Sequence, residues 1–261
     1  MNLLLLVIAL GLAGVAAGAS PLGDYKVCQP HSRPWQVRLH GGGVACSGAL
    51  INEWWIVTSF ECAPSRPYST IASLGEHDIT LEEGTEQHID VADVIRHGPY
   101  RSSRSPIHSL TMVRLASPAR FNQFVQPIPL ASRCAQPGEN CSVSGWGSTI
   151  PNHYEPDQRL KCINVPIVDD QTCMNTFPVD LFWSPYMICA GQANTDNCLG
   201  DRGSVMVCDG QLQGVQWFAH GCSDPAHPSI HSKLCLYNNW IKSVMDTYRP
   251  PLDTTPGAMT M

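Results

Sequence analysis

Asp196-Asn197-Cys198-Leu199-Gly200-Asp201-Arg202-Gly203-Ser204-Val205 sets two glycines around an aspartate and an arginine, with a cysteine just before them. Taken alone, Gly200-Asp201-Arg202-Gly203 is an ordinary turn, with Asp201 as its cap. A guanidinium stays protonated at physiological pH and offers only donors, so Arg202 cannot attack a carbonyl. The meaning of this turn depends on what surrounds it.

Outward from it lie short β-branched and aromatic runs divided by Gly, Pro and Ser. Cys46-Ser47-Gly48-Ala49-Leu50-Ile51, Trp54-Trp55-Ile56-Val57-Thr58-Ser59-Phe60-Glu61-Cys62 and Val143-Ser144-Gly145-Trp146-Gly147 are of this kind. Runs of this length, without a long segment of helical period, predict many short strands and an all-β fold. Only the end differs: Tyr237, Trp240, Ile241, Val244, Met245 and Tyr248 recur at helical spacing and predict a terminal helix. From Phe121 to Pro129 the chain is a Pro-punctuated extended connection.

Composition bounds the rest. Leu3 to Ala13 is an apolar run too short for a comfortable membrane span, and small residues follow it, so residues 1–19 read as a signal peptide. With 12 cysteines behind such a leader, a secreted, disulfide-framed protein is expected. A net charge of -6 gives no basic surface for a phosphate backbone, and no second apolar run is long enough for a bilayer, so neither nucleic acid nor membrane is an expected partner. Residues 250–261 lack a periodic apolar face and read as a disordered tail.

The motifs in combination resemble the trypsin and chymotrypsin family of serine proteases from Cys28 to Tyr248. Leu199-Gly200-Asp201-Arg202-Gly203 is similar to the family's Gly-Asp-Ser-Gly-Gly-Pro loop, Trp55-Ile56-Val57-Thr58 to Cys62 to its Trp-Val-Val-Thr-Ala-Ala-His-Cys run, and Ser144-Gly145-Trp146-Gly147 to a further hallmark. The fold this implies is two six-stranded antiparallel β-barrels with a C-terminal helix, over residues 20–249. The same resemblance puts Arg202, Glu61 and Ser109 where the family carries its catalytic serine, histidine and aspartate. It therefore implies a protein that is not an enzyme, with no catalytic residue, and an ion pair between Glu61 and Arg202 across the site. Leu22-Gly23-Asp24 replaces the family's activation sequence, and no Lys or Arg precedes Lys26.

Further details follow from the resemblance. It pairs Cys28 with Cys162, Cys46 with Cys62, Cys134 with Cys235, Cys141 with Cys208, Cys173 with Cys189, and Cys198 with Cys222. Glu76, Glu83 and Glu86, with the carbonyls of Asp78 and Leu81, match a structural calcium loop, a set of oxygen ligands suited to that ion. Asp196 matches the acidic floor of a specificity pocket, while Gln216, Phe218 and Ser229 replace its walls with larger groups and leave it vestigial. The function expected is that of a secreted, monomeric binding or regulatory protein, whose partner is a protease inhibitor or another secreted protein. The alternative is a secreted hydrolase with unfamiliar chemistry, metal-assisted through His220, His227 and His231.

Overall fold

A computed structural model describes residues 26–98, 109–147, 158–177, 185–191, 202–218 and 228–248. The signal peptide at 1–19, the activation sequence, Asp196, Gly200, Asp201, His220, His227 and the 250–261 tail lie outside the described residues.

The first barrel is built from β2 (Gln36–Gly41), β3 (Val44–Leu50), β4 (Trp55–Ser59), β5 (Thr70–Leu74), β6 (Gln87–Arg96) and β7 (Leu110–Leu115). It closes in the order β2-β3-β4-β7-β6-β5, all neighbours antiparallel. The second ring uses β8 (Asn140–Gly145), β9 (Lys161–Val168), β10 (Met187–Ala190), β11 (Val205–Cys208), β12 (Gln211–Phe218) and β13 (Ser229–Lys233). Its order β9-β10-β13-β12-β11-β8 closes through the pairing of β8 with β9. The expected pair of six-stranded antiparallel barrels is thus observed, with β1 (Lys26–Val27) added outside the second ring against β9.

Closure leaves no free sheet edge in either ring, which is how many short strands become one stable body. Strand β4 shows why it opens on an apolar run, Trp55-Ile56-Val57, rather than on an alternation. Ile56 faces the core of its own barrel with Val37, Leu39 and Val113, whereas Trp55 and Val57 face a second cluster with Val205, Leu212 and Val215 from the other barrel. A strand buried on both faces has no position turned to water, and its two polar residues are bonded inside, the Thr58 hydroxyl donating to the Ser47 carbonyl and the Ser59 hydroxyl to the Cys62 sulfur.

Helix α2 (Asn238–Thr247) is the expected terminal helix, and its Ile241 and Val244, three residues apart, dock into this inter-barrel cluster. Helix α1 (Asp170–Thr176) was not expected from period; it is a short helix capped by Asp169, whose side chain accepts from the Thr172 N–H. The 121–129 connection does cross between the barrels: Ile128 N–H donates to the Leu50 carbonyl, and Leu212 N–H donates to that of Pro129.

Five of the six implied disulfides are present: Cys28–Cys162, Cys46–Cys62, Cys134–Cys235, Cys141–Cys208 and Cys173–Cys189. The sixth, Cys198 with Cys222, lies outside the described residues.

Candidate functional site

Glu61 sits in a single 3-10 turn, Phe60–Cys62, directly after β4. The turn is pinned from both sides. Cys62 is bonded to Cys46 on β3, and the Phe60 N–H donates to the Ser109 carbonyl at 2.8 Å. Closing that 16-residue loop stabilises the fold by about 3 kcal/mol if the chain-entropy account holds.

Arg202 reaches the same place from the second barrel. Its carbonyl accepts from the Ser47 N–H at 3.0 Å, and the N–H of Gly203 donates to the Gln216 carbonyl, also at 3.0 Å. Gly203 has φ +85°, a left-handed conformation that a glycine adopts without steric cost. Held this way, the Arg202 Nε lies 2.6 Å from the Glu61 Oε2. The expected ion pair is therefore formed. Its side chains are 62% and 27% exposed, so water screens it and its net contribution to stability is about 0–1 kcal/mol.

Ser109 is adjacent by backbone yet faces elsewhere. Its hydroxyl lies 2.6 Å from that of Ser232 in the buried seam between barrels and is also bonded to Tyr237, whose phenol burial pushes up to about 12. Glu61 and Arg202 meet at the surface, and the Ser109 side chain serves the interior.

Of the pocket residues, Gln216 and Phe218 lie on β12 and Ser229 on the neighbouring β13. Phe218 packs edge-on against Phe177 and beside Trp217, as part of an apolar cluster with Cys173, Met187, Cys189 and Ile230. Ser229 is buried and donates to the Ala190 carbonyl, so its hydroxyl is engaged inside the wall. With that proton committed, the Nε2 of His231, 2.9 Å from the Ser229 Oγ, is the donor of their bond and Nδ1 is the bare acceptor. Nδ1 is buried and without a partner, and burial pushes the imidazole down to about 3. A fully buried neutral histidine fixed to a serine is a poor start for the metal-assisted alternative proposed on His220, His227 and His231.

The acidic loop is better placed for an ion. Ligand oxygens of Glu76, Glu83 and Glu86 lie within 4.8 Å of one another, and no other such group occurs among the described residues. Glu76 is buried with Oε1 unpartnered, and burial first, then the Glu86 charge, push its carboxyl up to about 7. Clustered carboxylates with an unmet buried oxygen fit calcium chemistry. The carbonyl of Asp78, its expected ligand atom, accepts from the Leu81 N–H, and its side chain accepts from the N–H and hydroxyl of Thr80.

Two histidine groupings were missed by sequence reasoning. Ser73 Oγ lies 2.9 Å from the His40 Nε2 and 2.8 Å from the His88 Nδ1, and His88 Nε2 lies 3.6 Å from Glu82. His31 and His77 have ring centroids 6.1 Å apart, and the Nδ1 of each is buried without a partner. Neither grouping has a spacing motif; strand register forms the first and loop packing the second.

The comparisons with known proteins settle the family. The trypsin family model matches residues 24–241. The chain is similar to trypsin-2 of Salmo salar, 39% identical over 87% of this chain and 96% of that one, and to a trypsin of Xenopus laevis, 36% identical over 95% and 100%. It is similar in structure to neuropsin, a serine protease expressed in the limbic system of mouse brain, with a TM-score of 0.77 and 33% identity over 85% of this chain and 99% of that one. These relatives correct one expectation. Reading Glu61, Ser109 and Arg202 alone led to a protein that is not an enzyme, but the relatives, alike along nearly the whole chain, are named as trypsins and point to a protease. Three side chains weigh less here than the scaffold that carries them. Two closed barrels, five family disulfides and a match across most of the sequence place this chain in the trypsin family of serine proteases.

Proposed function

We propose that this trypsin-family protein is secreted and acts as a monomeric binding or regulatory member, presenting a protease-type surface to an inhibitor, a substrate-like peptide or another secreted protein. The observation that carries this reading is the Glu61–Arg202 pair, which sets a permanent cation, still 62% exposed, where the two barrels meet. An exposed guanidinium is a donor array suited to carbonyls and carboxylates of an extended peptide. The binding role stands beside the peptidase activity that names the relatives and does not depend on its absence. Surface plasmon resonance against a protein inhibitor of trypsins tests it. Micromolar or tighter binding is expected, about tenfold weaker in Arg202→Ala; no binding, or binding indifferent to that change, overturns the proposal. Hydrolysis of a Lys or Arg ester, followed in parallel, reports whether a bound peptide is also cut.

Glu76, Glu83 and Glu86 belong to the same proposal as ligands of a structural calcium ion, which would tie the loop between β5 and β6 to its own base. An ion that binds only the folded chain stabilises it by about 2.7 kcal/mol at a hundred times its Kd. Calcium is therefore expected to raise Tm, a chelator to reverse the rise, and Glu76→Gln to remove most of it. Scanning calorimetry with and without calcium makes the measurement, and an identical Tm in both would dismiss the ion.

A further inference from the structure

We propose that His31 and His77, whose unpartnered Nδ1 atoms are carried on rings 6.1 Å apart, form a site for a zinc ion, separate from the acidic loop. Buried ring nitrogens are normally hydrogen-bonded, and two orphans on neighbouring rings are a donor set awaiting a ligand. Zinc binds imidazole nitrogen at about 2.0–2.1 Å, so two rings sharing one ion have centroids roughly 5–6 Å apart. The observed 6.1 Å is just above that range. Imidazole selects a borderline metal over calcium, which distinguishes this pair from the neighbouring carboxylates.

The surroundings hold both rings in place. His77 is 4% exposed, and its carbonyl accepts from the Leu160 N–H at 2.9 Å and from the Trp146 indole N–H at 3.1 Å, both from the second barrel. His31 adopts φ +56° in the turn after Cys28, a conformation rare for a side-chain-bearing residue, and its ring lies edge-on to Phe124 at 4.8 Å. His31 is only part-buried, so its ring is the one that turns to admit the ion and the water completing its coordination. An ion here would sit beside the strut that His77 makes to Trp146 and Leu160, so its binding should be visible in tryptophan fluorescence.

Isothermal titration of the full chain with zinc chloride, in saturating calcium, is the test. One zinc per chain is expected, weakened at least about tenfold by His31→Asn and by His77→Gln, since even outer-shell changes at metal sites cost that much. Cobalt in place of zinc should give visible absorption that both variants lose. Asn tolerates the left-handed backbone, so His31→Asn keeps the test alive if His77→Gln fails to fold. His88→Gln should leave binding unchanged. Absence of zinc binding overturns the proposal, as does zinc that calcium displaces, zinc lost in His88→Gln, or zinc indifferent to both histidine variants. A calcium-independent Tm would sink the acidic-loop reading and leave this result as it stands.

Discussion

Gly203→Ala is expected to destabilise the protein by at least about 3 kcal/mol, more than any exchange of the Arg202 side chain beside it. A Cβ at this position would lie 2.0 Å from the Ser47 carbonyl oxygen and 2.7 Å from the Thr58 Oγ1. Neither atom can easily retreat. The Ser47 carbonyl accepts from that same Thr58 hydroxyl at 2.7 Å, in a buried strand pair. The left-handed φ of +85° adds backbone strain for any residue with a side chain, of order 1–3 kcal/mol. For a domain of this size such a loss lowers Tm by roughly 6–12 °C. Urea unfolding of the wild type and the variant measures it, and a midpoint shift worth less than about 0.5 kcal/mol would show that the loop moves freely.

The second large effect is on acid stability, through His231. Its folded-state pKa is pushed down to about 3 by burial, against about 6.5 in an unfolded chain. Between those values the unfolded chain holds a proton that the folded one refuses. The contribution is complete above about pH 6.5 and is lost as pH falls, at about 1.4 kcal/mol per unit. Glu76 works in the opposite sense. Its folded-state pKa, raised to about 7, favours the fold at low pH and loses that benefit as pH rises through 7. The two offset over part of the same range, so the informative quantity is the difference between wild type and His231→Gln. Denaturant unfolding at pH 7.5, 6, 5 and 4 should show that difference changing by about one proton's worth per unit below 6.5. Parallel curves would mean that the folded imidazole takes up its proton in step with the unfolded one.

Much of the architecture was legible because strand period, turn residues and cysteines are local signals. The apolar Trp55-Ile56-Val57 run of β4 and the spaced apolar face of α2 each found the partner their pattern requires. The pairing of Glu61 with Arg202 was legible only through family likeness, since 141 positions separate the two. What stayed hidden depends on register. Ser73 meets His88 because β5 and β6 align those residues, and Gln216 lies opposite His231 because β12 and β13 do. A shift of one residue in either pairing would turn these side chains to the other face, and nothing in composition records the choice. The partnerless rings of His31 and His77 come from loops 46 positions apart, packed by contacts that no periodicity encodes.

The main chain at Arg202 is anchored by main-chain atoms: its own carbonyl to Ser47, and the next amide to Gln216. Neither bond involves the guanidinium. The scaffold therefore separates where a group is held from which group is held, and the chemistry displayed at this position is interchangeable while the mount that aims it stays put.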